Sequence, residues 1–134
     1  MLSDLISEFV YHYTSVEGMR GILRDRRIMV STNTARDAFY GVGVYLTDVP
    51  PEVDDKDLLR KLYGRAYPSK MNKIQVCFRF RARQLRGLQE EEEEKRKVFV
   101  VPREAIDIDA VETMMKGRSG DSWNPGWMNA STRK

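Results

Sequence analysis

Tyr11-His12-Tyr13-Thr14 and, further on, Tyr40-Gly41-Val42-Gly43-Val44-Tyr45-Leu46-Thr47-Asp48 decide how this chain is read. Phe9-Val10-Tyr11-His12-Tyr13 is rich in aromatic and β-branched residues and reads as a strand, with His12 closing its apolar stretch at the mouth of a cleft. Ser15 is suited to cap the helix that follows, in which Val16, Met19, Ile22 and Leu23 fall on one face. In the second segment Val42, Val44 and Leu46 alternate with Gly43, Tyr45 and Thr47. That is the pattern of a half-buried strand with the glycine, the tyrosine and the threonine on one side. Glycine there leaves room for Tyr45 and lets a ligand approach the backbone, since no Cβ intervenes. A histidine on one strand, a tyrosine on another and glycines between them are the makings of a site.

The flanking sequence supplies the rest of a small domain. Leu2, Leu5 and Ile6 have helical spacing, residues 27–31 read as a short strand, and residues 32–36 are a polar loop. Pro50-Pro51 closes the Tyr45 strand, and Pro51 opens a helix that carries Glu52, Asp54 and Asp55 near its positive end and buries Leu58, Leu59, Leu62 and Tyr63 until Gly64 stops it. Residues 67–72 read as a loop. From 73 to 81, Ile74, Val76, Phe78 and Phe80 point inward, so Gln75, Cys77, Arg79 and Arg81 are expected outside, with Cys77 a passenger. Arg79, Arg81, Arg83 and Arg86, then the glutamates at 90–94, then Lys95-Arg96-Lys97, read as a solvated loop of offsetting charges, or as a patch for an anionic partner. Residues 98–102 suit an interior strand. Gly, Ser, Asn and Pro accumulate from Lys116, so residues 1–115 are the domain and 116–134 a polar, flexible tail, on which Trp123 or Trp127 could dock back. The element order is that of an α+β domain.

At 134 residues there is room for one core. No window approaches the roughly 18 apolar residues of a membrane span, and Met1-Leu2-Ser3-Asp4 does not begin a signal sequence. A cytoplasmic or nuclear monomer without a membrane partner is expected. Cys77 is the only cysteine and His12 the only histidine, which excludes an internal disulfide and leaves only carboxylates for a metal site, so no metal is expected. A net charge of +3 is mild beside that of a nucleic-acid-binding arm.

His12-Tyr13-Thr14, the helix with Glu17-Gly18 and Gly21-Ile22-Leu23, and then Asp37-Ala38-Phe39-Tyr40-Gly41-Val42-Gly43-Val44-Tyr45-Leu46-Thr47-Asp48 resemble the start of a small ADP-ribosyltransferase. The resemblance is to the toxin-type branch with a His-Tyr-Asp signature, which is similar to the catalytic core of poly(ADP-ribose) polymerases. It covers residues 10–50 and, more weakly, 97–102. It implies an ADP-ribosyltransferase-like α+β fold: a split, mostly antiparallel sheet with flanking helices around a cleft for NAD, the substrate. It also implies that His12 bonds the adenosine-side ribose, Tyr45 stacks on nicotinamide, the backbone of Tyr13 holds the carboxamide and Tyr40 adds a second wall, with Thr14, Gly41 and Gly43 completing the NAD-binding set. Tyr13 replaces the glycine that follows the histidine in the wider class.

The implied reaction breaks the nicotinamide–ribose bond and passes ADP-ribose to a protein, a nucleic acid or water. Positive charge develops on the ribose as in glycoside cleavage, so a nearby acid is wanted. Polymerase-like relatives place a glutamate at the start of the strand matching 98–101, where this chain has Lys97. The acid is then Asp48 or Asp37, or Glu94 in a shifted register. Two alternatives stay open: a catalytically weak module that binds NAD or ADP-ribose, and an RNA 2′-phosphotransferase-like enzyme of the same fold whose arginines at 79–86 track a phosphate backbone.

Overall fold

The structure, a computed structural model, describes residues 8–31, 41–93, 96–118, 120 and 122–125, without the side chains of 92, 93, 96 and 97. Strand β1 (Phe9–Thr14) is followed by helix α1 (Val16–Asp25), β2 (Arg27–Ile28), β3 (Gly43–Leu46) and helix α2 (Asp55–Tyr63). A 3-10 helix (Pro68–Ile74) leads into β4 (Val76–Arg81), and β5 (Gln89–Glu93), β6 (Arg96–Pro102), β7 (Ile106–Asp107), β8 (Thr113–Gly117) and β9 (Asn124–Pro125) complete the order. One sheet runs β1-β4-β8-β9, a second β3-β6-β5, and β2 pairs with β7; every pairing is antiparallel. This is the expected α+β architecture with a split sheet. Among the described residues no helix is long and apolar enough to cross a membrane.

The core lies between the two larger sheets and under α1. Val10, Phe78 and Phe80 from the first sheet meet Val44, Leu46, Phe99 and Val101 from the second and Ile22 and Leu23 from α1. Phe78, Phe80 and Phe99 are completely buried, each worth about 1.5–3 kcal/mol over an exposed ring. Ser15 caps α1 as expected, its Oγ accepting from the Gly18 N–H at 2.9 Å. A second, smaller cluster of Leu58, Leu59 and Ile74, with Tyr13, Val49, Leu62 and Tyr63 packed against it, holds α2 and the 3-10 helix onto the end of β1.

Several local expectations are corrected. Helix α2 begins at Asp55, because Asp54 rather than a proline supplies the cap, its carboxylate accepting from the Asp57 N–H at 2.9 Å. The loop expected at 67–72 is the 3-10 helix, and the strand expected at 27–31 pairs as a ladder only at Arg27–Ile28, with Ser31 forming a separate bridge to Gly43. Val42 is exposed, outside the ladder begun by Gly43. Cys77 does not face solvent: β4 is flanked on both sides, and its Cα partners Tyr13 and Lys116 close their long side chains over the small thiol. Residues 89–93 are not a loop but the edge strand β5, paired with β6 through its backbone.

Arg79 is half-buried, its guanidinium 4.3 Å from the Phe9 ring and 4.5 Å from that of Trp123. Trp123 does dock, also tilting against Tyr11 at 6.1 Å. The boundary drawn at residue 115 falls inside β8. Beyond it, Lys116 reaches Glu52 at 3.4 Å, and Arg118 holds the Val53 carbonyl at 2.7 Å and the carboxylate of Asp55, tying the start of α2 to the first sheet. The helix expected at 3–8, Trp127 and residues 126–134 of the expected tail lie outside the described residues, Glu8 excepted.

Candidate active site

The two larger sheets meet where β1 passes β3. Tyr11 N–H donates to the Thr47 carbonyl at 2.7 Å and Thr47 N–H to the Tyr11 carbonyl at 2.9 Å. Backbone groups of successive strand residues point to opposite edges. With Tyr11 aimed at Thr47, His12 is therefore aimed at β4, and the N–H and C=O of Tyr13 again face the side of β3. By then the strands have parted, and a wedge opens between them. On β3 the same alternation sends Gly43, Tyr45 and Thr47 to the edge away from β6. Gly43 exchanges bonds of 2.7 and 3.3 Å with Ser31, Thr47 takes Tyr11, and between them the Tyr45 carbonyl receives Nδ1 of His12 at 3.0 Å.

That bond fixes the state of the imidazole. A carbonyl only accepts, so Nδ1 carries the proton and Nε2 is left with a lone pair. Burial holds the His12 pKa below its ordinary 6.5, and the Tyr45 carbonyl opposes that shift only in part. The ring is neutral near pH 7 and presents an acceptor.

The wedge is a cavity of about 530 Å³, within the roughly 300–1,000 Å³ common for ligand sites. His12, Tyr13, Thr14, Gly43 and Tyr45 line it. Tyr45 is pinned: its hydroxyl donates to the Gly41 carbonyl at 2.7 Å, a turn that needs Gly41 at φ 101, where glycine is at ease. Gly41 thus positions Tyr45 rather than lining the cavity. A Cβ on Gly43 would lie 2.7 Å from both Val100 Cγ2 and the Val101 carbonyl oxygen, so this glycine admits the close approach of β6 instead of leaving room for a ligand. The Tyr13 ring belongs to the smaller apolar cluster, its hydroxyl bonded to the Val49 carbonyl at 2.7 Å; burial keeps that hydroxyl protonated.

Among the lining residues not singled out from the sequence as site residues are Tyr63, Glu17, Lys61 and Lys73. Tyr63, at the end of α2, supplies an aromatic wall, with Lys70 Nζ 5.3 Å from its ring centre. Glu17 is the one carboxylate on the wall among the described residues, and Lys61 and Lys73 stand at its α2 side. In sequence, Tyr63 looked like core and Glu17 like a first-turn helix charge; only the path of the chain reveals a cavity beside them. Asp48 follows Thr47 but does not line the cavity. Asp37, Tyr40 and Glu94 lie outside the described residues. Cys77 is no nucleophile: it is fully buried and burial pushes its thiol up to about 12.

Mostly antiparallel sheets with flanking helices around a cavity fit an α+β ADP-ribosyltransferase-like fold. A family model described as HYD1 signature containing ADP-ribosyltransferase, Tox-ART-HYD1, matches residues 10–111, and the chain belongs to that family. No curated protein and no solved structure matches it.

Proposed function

We propose that this chain takes NAD as substrate in the wedge, breaks the nicotinamide–ribose bond and passes a single ADP-ribose to a macromolecular acceptor or to water. The observation that carries this reading is the His12–Tyr45 contact, which leaves a neutral imidazole with a free acceptor at a cavity also walled by tyrosines. In this reading a hydroxyl of the adenosine-side ribose donates to His12 Nε2. Nicotinamide lies between Tyr45 and Tyr63, and its carboxamide meets the N–H and C=O of Tyr13. Nicotinamide leaves with the bonding pair, and the positive charge left on the ribose is met by a carboxylate: Glu17, on the wall, or Asp48, beside Thr47.

In the arginine run of the phosphotransferase alternative, Arg79 is held between two rings and Arg81 is paired with Glu8 at 2.6 Å and Glu112 at 3.1 Å, while Arg83 and Arg86 stand exposed. The test is to incubate the pure protein with NAD and measure free nicotinamide. Release by the wild type and a loss of at least about tenfold, some 1.4 kcal/mol of barrier, in Tyr45→Ala supports the proposal. NAD binding without release turns the chain into a binding module; neither binding nor release sinks both.

A further inference from the structure

Arg60, Lys61, Arg65, Lys70 and Lys73 lie within residues 60–73, which contain no aspartate or glutamate. The whole chain carries only +3. With five positive charges here, everything else sums to −2.

Two of these cations stand at the cavity itself. Lys61 on α2 and Lys73 on the 3-10 helix are wall residues, and Arg65, Tyr67 and Lys70 come between them in the chain. Tyr67 and Met71 are exposed large apolar groups on the same segment, Tyr67 at 41%. The acids of α2 are drawn away: Asp54 caps the far end, Asp55 binds Arg118, and Asp57 binds Arg60 at 3.2 Å. Cations in the last turn of a helix are favoured by its dipole. That accounts for Arg60 and Lys61, but not for Arg65, Lys70 and Lys73, nor for a tyrosine ring left in water.

We propose that this segment receives a single-stranded nucleic acid and that the nucleic acid is the ADP-ribose acceptor. A row of cations with an exposed ring among them is how single strands are held, phosphates on the charges and a base on the aromatic face. An acidic protein would satisfy the cations, but a single strand offers a flat base beside every phosphate, which suits an exposed ring set among cations. The strand binding stands by itself; its role as acceptor rests on the NAD reading above. In the transfer, a nucleophilic nitrogen or oxygen of the bound strand forms a bond to the ribose C1 of NAD. The C1–nicotinamide bond breaks, nicotinamide leaves neutral with the bonding pair, and the proton of the nucleophile goes to solvent.

The experiment titrates fluorescent single-stranded RNA and DNA oligonucleotides into wild type, Arg65→Glu and Tyr67→Ala, neither of which lines the cavity, and follows anisotropy against salt. A parallel arm follows nicotinamide release and transfer of labelled ADP-ribose to the oligonucleotide or to an acidic protein such as casein. Expected are a salt slope of about −2 for the three cations Arg65, Lys70 and Lys73, affinity reduced at least about tenfold in Arg65→Glu and several-fold in Tyr67→Ala, and unchanged nicotinamide release to water by both variants. Transfer to the oligonucleotide should fall with affinity. Absent binding at low salt, equal binding by all three proteins, or label passing to casein alone overturns the acceptor proposal even if nicotinamide is released. Arg65-dependent binding without nicotinamide release keeps the nucleic-acid surface and sinks the NAD reading instead.

Discussion

On the strand side of the cavity, polar groups are bonded to one another: Tyr11 with Thr47, Gly43 with Ser31, His12 with Tyr45, and the Tyr45 hydroxyl with Gly41. On the side of α2 and the 3-10 helix, Lys61, Asn72 and Lys73 stand exposed at the rim. The first wall acts through fixed dipoles whose value depends on tenths of an ångström; the second acts through charge, which tolerates displacement but is screened by salt. Substitutions on the strands should therefore damage turnover or the fold, and substitutions on the rim should change salt dependence.

The largest effect should come from His12→Ala, which removes both the bond across the wedge and the Nε2 acceptor. Nicotinamide release should drop about a hundredfold, near 2.7 kcal/mol of barrier. A variant within threefold of wild type would mean that the strand wall does not orient the substrate. Next, Gly43→Ala drives a methyl into Val100 and the Val101 carbonyl. Overpacking of this kind costs about 2 kcal/mol, so the melting temperature should fall by about 8 °C. An unchanged melt would show that β3 and β6 have slack.

Glu17→Gln tests the only described acid on the wall. Its loss should lower turnover about tenfold, roughly 1.4 kcal/mol, with NAD affinity kept, as befits a group that acts on developing charge. If Asp48→Asn shows that pattern and Glu17→Gln does not, the acid sits beside the Tyr11–Thr47 bridge instead. The smallest effect concerns pH. His12 has a folded pKa below the ordinary 6.5, so as pH falls past 6.5 the unfolded chain takes up a proton that the fold refuses. Stability present above that pH is lost on acidification, and urea midpoints at pH 7 and pH 5.5 should differ less in His12→Asn than in wild type.

What could be read in the sequence follows from which forces leave a pattern. β1, α1 and β4 were legible because Val10, Ile22, Leu23, Phe78 and Phe80 mark buried faces at strand and helix periods. The Ser15 cap was legible because capping chemistry is local. β5 was not, since Gln89–Glu93 holds its place by backbone pairing with β6, which writes nothing into side chains. Cys77 was misplaced because its burial depends on neighbours far along the chain, Tyr13 and Lys116. In the site, His12 and Tyr45 stood out by type and spacing. Glu17 and Tyr63 did not, because a helix residue looks the same whether it faces water, core or cavity.

Cys77 is the chain's single cysteine, wholly buried and with its thiol held near 12. To a maleimide or iodoacetamide at neutral pH the folded protein is therefore blank. A cysteine introduced at Arg65 or another exposed position would be the one site to react, so a spin label or dye could be attached there without first stripping native thiols. Conversely, the appearance of Cys77 reactivity in an unmodified sample becomes a direct gauge of how often the β1-β4-β8 sheet comes apart.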